Sequence, residues 1–168
     1  MNKTEGKPSA LRAAVKLRPA TAADETFLLE VYGSTRADEL ALVPWNEEQK
    51  QAFLEMQFKA QREHYEKVHA EAEYQVIVFE GRVVGRLYVA RKEKEIRILD
   101  LTLVPHERNR GIGTALVQEM MEEAAAFGKA VRIYVESFNP SLRFFERLGF
   151  LNIGQTGVHM LMQWAGSR

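Results

Sequence analysis

The chain has 168 residues, of which 46% are hydrophobic and 27% are charged, a composition typical of one soluble globular domain. Lys plus Arg and Asp plus Glu number 23 each, so the formal charge is zero. This balance gives no overall field that would attract nucleic acid or an anionic membrane, and we expect neither as a partner. The absence of Cys excludes disulfides, thiolate zinc sites and cysteine nucleophiles, and we expect no metal.

The N-terminal segment, residues 1–14, is polar and basic. It has no apolar central stretch, so it does not have the pattern of a secretory signal. We predict a disordered tail here, followed by a single domain over residues 15–168. No apolar run approaches the length of a membrane span, and a cytoplasmic location is the expectation.

The first half of the domain predicts one strand and two helices. Val15–Arg18 is the strand, and Thr21 can cap a first helix that ends near Gly33. Asn46 caps a second, long helix, which has an acidic first turn and continues to about His69.

A run of strands follows. Tyr74–Phe79 and Val83–Ala90 are β-rich and are separated by the tight-turn sequence Glu80–Arg82. Ile96–Val104 is nearly continuous in apolar residues, which predicts a central strand covered on both faces.

The last part of the chain alternates helices and strands. Gly111–Phe127 is predicted as a helix, Val131–Val135 as a strand and Pro140–Leu148 as a short helix, and Phe150–Ile153 and Val158–Trp164 as two closing strands. The order β-α-α-β-β-β-α-β-α-β-β predicts an α/β domain with a mixed sheet, not a doubly wound parallel one.

The segment Arg108–Ala115 is the most informative for chemistry. It joins a strand to a helix and contains Gly111 and Gly113, which allow a tight turn and a close approach of the backbone to a ligand. The first N–H groups of a helix have no internal partner, and the helix dipole adds partial positive charge. Together these features form an anion site suited to a pyrophosphate.

The side chains of this loop support the same interpretation. Arg108 and Arg110 add positive charge, and Thr114 adds a hydroxyl. The alternative is that the two glycines only permit a tight strand-to-helix turn. The loop is neither a Walker A motif nor the dinucleotide fingerprint, because Leu116 stands where the fingerprint has its third glycine.

The loop resembles the coenzyme A signature of the GNAT N-acetyltransferases, R/Q-x-x-G-x-G/A, here Arg108, Gly111 and Gly113. The preceding segment Leu101–Pro105 is similar to their strand-ending L-x-V-x-P, with Leu103 in place of Val.

Two later segments extend this resemblance. Ile133–Asn139 is similar to the fifth strand of the family and its following Asn, and Phe144–Phe150 is similar to the F-Y-E-R-L-G-F helix end. The order and spacing agree over about residues 74–164, and several weak motifs in one order are more specific than any one of them.

The resemblance implies a GNAT-like fold with a central sheet splayed between the fourth and fifth strands, and acetyl-coenzyme A as the cosubstrate in that cleft. It implies that backbone amides of Arg110–Thr114 hold the pyrophosphate. Edge groups of Leu101–Val104 would bind the pantetheine arm and polarise the thioester, with Asn139 beside the arm. The residues expected to bind the coenzyme are Leu101, Leu103, Val104, Arg108, Asn109, Arg110, Gly111, Ile112, Gly113, Thr114, Asn139 and Phe145.

The implied reaction is direct attack by a primary amine on the acetyl thioester in a ternary complex. The amine must be neutral, so it needs a base or a depressed pKa. Asp100 and Glu136 are candidates because their strands would flank the cleft, although such a residue is more often a plain strand-end or surface carboxylate. His159 alternates with apolar neighbours on a late strand and is interpreted as structural.

The family's usual acid is a Tyr that protonates the leaving thiolate, and the corresponding residue here is Phe145. A thiol with a pKa of roughly 8.5 leaves without help, so this departure weakens the enzyme assignment without removing it. The alternative is a catalytically weak or inactive acyl-CoA-binding or regulatory domain. A nucleotide-phosphate binder would explain the loop but not Asn139 or the segment Phe144–Phe150.

The acceptor amine, in a small molecule or a protein, would lie between the first two helices and the last strand pair. Residues Ser34–Asn46 would line that site. They include the mixed charges of Arg36 and Glu39, which do not select an acceptor charge, and Trp45, a residue type that more often anchors a core. A homodimer is left open.

Overall fold

Twelve helices and strands follow one another along residues 6–166, the part of the chain that the computed structural model describes. They are α1 Gly6–Ala14, β1 Val15–Pro19, α2 Glu25–Ala41, α3 Glu47–Val68, β2 Glu73–Phe79, β3 Arg82–Arg91, β4 Glu95–Leu103, α4 Ile112–Ala126, β5 Ala130–Glu136, α5 Ser141–Arg147, β6 Leu151–Thr156 and β7 His159–Ala165. The strands form one sheet in the order β1-β2-β3-β4-β5-β7-β6. Only the β4–β5 pair in this sheet is parallel. The predicted mixed α/β fold is confirmed.

The N-terminal segment differs from the sequence prediction. Residues 6–14 form helix α1 in place of the predicted disordered tail, while residues 1–5 lie outside the described part. Leu11 packs against the main core, and the Arg12 guanidinium donates to both carboxylate oxygens of Glu122 on α4, at 2.9 and 2.7 Å. Because these partners lie on α4, far along the chain, the local composition did not reveal them.

Helix α2 also departs from the prediction, because it continues past Gly33 to Ala41. A Cβ added to Gly33 would lie 3.4 Å from Leu54 Cδ1 on α3. The glycine therefore allows the two helices to approach closely, and a packing role of this kind is the usual reason for a glycine inside a helix.

Helix α3 begins as predicted. The Asn46 side chain accepts from the Gln49 amide at 2.8 Å, and the Gln49 side chain accepts from the Asn46 amide at 3.0 Å. This reciprocal capping box satisfies two amides that the helix itself cannot.

The sheet separates two cores. Helices α1, α4 and α5 pack on one side, here called the α4 face, and form the main core with Ile112, Leu116 and Phe145. Helices α2 and α3 pack on the other side, the α3 face, around Tyr32 and Phe58. Side chains alternate along a strand, so each strand serves both faces.

The β4–β5 pair opens toward the C-terminal ends of its strands. Pairing runs only from Glu95 opposite Ala130 to Ile98 opposite Ile133. The adjoining β3–β4 ladder has a bulge at Leu99, which bends and twists β4 locally. This opening, called the β4–β5 gap below, is the splay that the family resemblance predicted.

The gap changes the expected burial of β4. Ile96 and Ile98 are buried, as predicted for a strand covered on both faces. The segment Leu99–Leu103 is only partly buried, because β5 has diverged from it.

Candidate active site

The loop before α4 has the geometry of an anion site. Gly111 has φ +88°, a left-handed conformation that favours glycine, and it turns the chain into the helix. The first hydrogen bond of the helix runs from the Ala115 amide to the Gly111 carbonyl, at 3.0 Å. Residues 112–114 occupy the first turn, where amides lack intrahelical acceptors. These free donors and the helix dipole suit a phosphate group.

The residues of this turn differ in the surface that they offer to a ligand. Ile112 is fully buried in the main core, so it offers almost no surface to a bound molecule. Gly113 faces Phe144: an added Cβ would lie 3.4 Å from the Phe144 ring. Thr114 is partly exposed, and Asn109 has φ +61°, a conformation that Asn adopts more readily than most residues.

The two loop arginines are held by the protein. Arg108 Nε donates to the Leu103 carbonyl at 3.1 Å. Arg110 Nη1 donates to Glu107 Oε2 at 2.6 Å, and the Arg110 guanidinium lies 5.1 Å from the centre of the Phe79 ring. Both arginines stay at the predicted site, but the charge of Arg110 is partly neutralised.

Glu107 is a residue that the sequence prediction missed. Its side chain is 2% exposed, and one oxygen accepts from Arg82 Nε at 3.1 Å and Nη2 at 2.6 Å. Arg82, and then Arg110, hold the pKa of Glu107 below its usual range despite the opposing effect of desolvation. The ion pairs tie the turn before the loop to β3. An acidic residue inside an otherwise basic loop was the available signal.

The edge of β4 presents backbone groups to the β4–β5 gap. The Val104 amide donates to the Val84 carbonyl on β3 at 2.9 Å. Backbone groups of successive strand residues point to opposite sides, so those of Leu101 and Leu103 face the gap. The expectation that an edge amide of Val104 contacts the pantetheine arm does not fit, because that amide is already bonded within the sheet.

Asp100, one candidate base, is held in a buried ion pair on the α3 face. Arg86, whose side chain is 1% exposed, donates to both Asp100 oxygens, at 3.2 and 2.8 Å. Thr102 Oγ1 donates to the same carboxylate at 2.6 Å. Burial opposes the charge of Arg86, but Asp100 and Tyr88 outweigh it and raise the pKa of the guanidinium. A carboxylate with both oxygens engaged is poorly placed to accept a proton from a substrate.

Glu136, the other candidate base, lies at the end of β5 beside a histidine. Its carboxylate Oε1 is 3.8 Å from His159 Nε2, and both side chains are partly exposed. Arg36 of α2 lies on the same side. Burial opposes the charge of Arg36, but Tyr32, Glu39 and Glu136 outweigh it and raise the pKa of its guanidinium.

Phe145 and Asn139 belong to the segment that follows β5. Phe145 is 2% exposed and packs edge-on against Phe144 and Phe150, with ring centres 5.0 and 5.1 Å apart. The Asn139 side-chain oxygen accepts from the Ser141 amide at 2.9 Å. The side-chain nitrogen of Asn139 is therefore the group that can donate to a ligand.

The comparisons with known proteins decide the family. The sequence model of the acetyltransferase (GNAT) family matches residues 35–150, more than two thirds of the chain. The chain belongs to the GNAT acetyltransferases. As a member of this family it is an acyltransferase by class. Comparison with curated protein sequences finds no match.

Solved structures of other GNAT proteins share the fold. PaiA N-acetyltransferase from Thermoplasma acidophilum, solved in complex with coenzyme A, is 18% identical with a TM-score of 0.68, covering 90% of this chain and 99% of that one. Ard1 from Thermoplasma volcanium is 18% identical with a TM-score of 0.61, covering 92% and 99%. A histone acetyltransferase HPA2 and related acetyltransferase from Corynebacterium glutamicum is 19% identical with a TM-score of 0.62, covering 90% and 96%. At these identities the likeness shows the fold alone.

A cavity of about 310 Å³ in this acetyltransferase lies away from the GNAT loop. It is on the α3 face, between α2, α3 and the sheet, and its lining includes Tyr65, Tyr74, Tyr88 and Arg86. No residue of the loop or of the gap edge lines it. The candidate active site is therefore the loop and the β4–β5 gap, not this cavity.

Two other kinds of feature are absent from the described part of the chain. No three His, Asp or Glu side chains among residues 6–166 are grouped so that they could hold a metal ion. No helix in that range is both long and apolar enough to cross a membrane.

Proposed function

We propose that this GNAT protein transfers the acetyl group of acetyl-coenzyme A to a primary amine of an acceptor, by direct attack in a ternary complex. One observation carries the proposal: the free amides of the first turn of α4 lie directly after the strand whose edge faces the β4–β5 gap. An anion site and the gap-facing amides of Leu101 and Leu103 thus follow each other along one path. The neighbour solved in complex with coenzyme A has the same fold.

The path suits the shape of the cosubstrate. The pyrophosphate would bind at residues 110–114 on the α4 face, where Arg108 adds a charged donor. The pantetheine arm would enter the gap and meet the backbone groups of Leu103 and Leu101, and the amide of Asn139 lies on the opposite border. A backbone N–H aimed at the thioester oxygen would stabilise the negative charge that develops there during attack.

The chemistry needs a neutral amine and a leaving thiolate. The amine nitrogen attacks the acetyl carbon, the C–N bond forms, and the C–S bond breaks. Phe145 has no proton to give, so the thiolate, with a pKa of roughly 8.5 once protonated, takes its proton from water or from the attacking nitrogen.

The acceptor would approach from the α3 face, near the junction of α2 and α3. Arg36 lies on that side, and Trp45 is partly exposed with its ring 5.2 Å from the Phe53 ring. Trp45 therefore anchors the junction and still offers a surface. The mixed charges of this segment do not select an acceptor, so the acceptor must come from a screen.

The test is acceptor-dependent release of free coenzyme A thiol. Purified protein, acetyl-CoA and a panel of small primary amines, amino acid amides and peptides would be incubated, and products identified by mass spectrometry. We expect thiol release that requires both protein and one class of amine, with an acetylated product of matching mass. ATP should not compete with acetyl-CoA.

One alternative has a specific observation in its favour. The buried Phe145 supplies no hydroxyl at the family's usual acid position, as expected of an acyl-CoA-binding or regulatory domain. Saturable acetyl-CoA binding without transfer to any amine of the panel would support that alternative and contradict the proposed activity.

A further inference from the structure

The end of β5 lies level with the part of β4 that faces the gap. The parallel register places Ile133 opposite Ile98. Continuing both strands past the bulge at Leu99 brings Glu136 level with Leu101 or the next residue of β4, where the thioester is expected. Glu136 thus lies at the same height as the proposed reacting atoms.

The side chain of Glu136 projects to the α3 face. Val131, Ile133 and Val135 belong to the main core on the α4 face, so alternation turns Glu136 to the opposite side. The pyrophosphate site is on the α4 face. A pantetheine arm that passes through the gap therefore presents its acetyl group toward the face that carries Glu136.

His159 is the direct cross-strand partner of Glu136. It is the first residue of β7 and is paired with Glu136 in the β5–β7 register, with 3.8 Å between its Nε2 and the carboxylate Oε1. This distance is within ion-pair range but longer than a hydrogen bond, and catalytic hydrogen bonds are often long before the substrate binds. The imidazole is half-exposed, so a substrate can reach it.

We propose that His159 is the general base of acetyl transfer and that Glu136 is the residue that positions it. This assignment rests on the proposed function. The imidazole accepts one proton from the acceptor ammonium. The neutral nitrogen then attacks the acetyl carbon, forming the C–N bond as the C–S bond breaks, and its second proton goes to the departing thiolate. The imidazolium, stabilised by Glu136, releases its proton to water.

Neighbouring elements lie close to this pair. Arg36 of α2 interacts with Glu136 of β5 and with Glu39 of its own helix, and Thr156 of β6 lies opposite His159. Because the Glu136 carboxylate lies within ion-pair distance of the imidazole, removing its charge should release the ring from its fixed orientation.

The experiment measures kcat/KM against pH with the acceptor found in the screen, in four proteins: the wild type, His159→Gln, Glu136→Gln and His64→Gln. His64 is an exposed residue of α3 and serves as the matched control. For His159→Gln we expect a loss of ~10²-fold or more at neutral pH, and the acidic limb should be replaced by a rise at higher pH, where the amine deprotonates by itself. Its acetyl-CoA affinity should equal that of the wild type.

The kinetics of Glu136→Gln test the positioning role of Glu136 independently. The acidic limb should remain, kcat should fall with little change in KM because the imidazole is no longer held in place, and His64→Gln should match the wild type. An unchanged limb in a folded His159→Gln overturns the assignment, as does an unchanged kcat in Glu136→Gln if His159→Gln fails to fold. A wild type that transfers no acetyl group refutes the proposed function as well, so the two failures are distinguishable.

Discussion

The Asp100 carboxylate should stabilise the fold more than any exposed acidic residue, because it compensates a guanidinium that is almost fully buried. Arg86 is 1% exposed and Asp100 16%. Two hydrogen bonds join them, and Arg86 Nη2 also donates to Gln61 Oε1 at 3.0 Å. Asp100→Asn keeps the size of the side chain but leaves the buried cation without its counter-charge.

The expected magnitude follows from this burial. Removing one partner of a buried ion pair costs about 3–5 kcal/mol, and the partial exposure of Asp100 favours the lower end. For a chain of this size a loss of 1 kcal/mol lowers Tm by roughly 2–4 °C. We therefore expect Asp100→Asn to lower Tm by about 6–12 °C.

Urea denaturation and thermal unfolding of the purified variants test this expectation. Glu47→Gln is the matched control, because Glu47 is 95% exposed in its pair with Lys50 and exposed pairs contribute little. The double variant Arg86→Met with Asp100→Leu should recover much of the loss, since it removes both charges at once. An Asp100→Asn protein as stable as the control would refute the argument.

Three further predictions concern the loop, the core and pH. Arg108→Ala should raise the Kd for acetyl-CoA, measured by calorimetry, by up to about tenfold, which corresponds to a charge-assisted hydrogen bond of about 1.5 kcal/mol. Arg110→Ala should raise the Kd less, because that arginine already pairs within the protein. An unchanged Kd in Arg108→Ala would contradict the proposed role of Arg108. Phe145→Tyr should leave acetyl-CoA affinity unchanged and raise turnover, by far less than the ~10²–10⁴-fold of a positioned acid; a loss of turnover would show that the ring shapes the acceptor site. Arg18 donates to both carboxylate oxygens of Asp24, at 2.8 Å each, and holds the pKa of Asp24 well below its usual range. The ion pair therefore stabilises the folded state fully above the pKa of Asp24 in the unfolded chain, about 3.9, and this contribution is lost as pH falls from there toward the lower pKa of the folded state. Urea midpoints measured down to about pH 3 should fall less steeply in Asp24→Asn than in the wild type.

Local chemistry made much of the fold predictable from sequence. The capping box at Asn46 uses neighbours three residues apart, so its residue types alone locate the start of α3. The left-handed turn at Gly111 is equally local. The order of the elements along the chain and the splay between the fourth and fifth strands could be inferred because motifs of one family occur in one order along residues 74–164.

The rest depended on contacts between residues far apart in sequence. Helix α2 continues past Gly33, where it packs closely on Leu54 of α3, and α1 packs on the main core through Leu11. Asp100 looked like a base because its strand flanks the gap, but Arg86 on the next strand binds it. A single charge inside the apolar run Val83–Ala90 was the signal for that buried partner.

The sequence predicts the backbone features of the candidate site but not the side chains that surround it. The anion loop needs only glycines and a helix start, which the sequence shows. Glu107 pairs locally with Arg110 but is also bound by Arg82 of β3, and His159 meets Glu136 through the β5–β7 register. The contacts made by Arg82 and His159 depend on the assembled sheet and are not visible from spacing in the sequence.

Calorimetric titration with acetyl-CoA tests the central claim most directly, in the wild type, Gly113→Val and Gly154→Val. Gly113 lies in the first turn of α4, where an added Cβ would lie 3.4 Å from the Phe144 ring, whereas a Cβ at Gly154 on exposed β6 meets nothing within 4 Å. We predict saturable binding at one site in the wild type and Gly154→Val, and severe weakening in a Gly113→Val protein confirmed as folded. Near-normal affinity in Gly113→Val, or no binding in the wild type, would contradict the placement of acetyl-CoA at the first turn of α4.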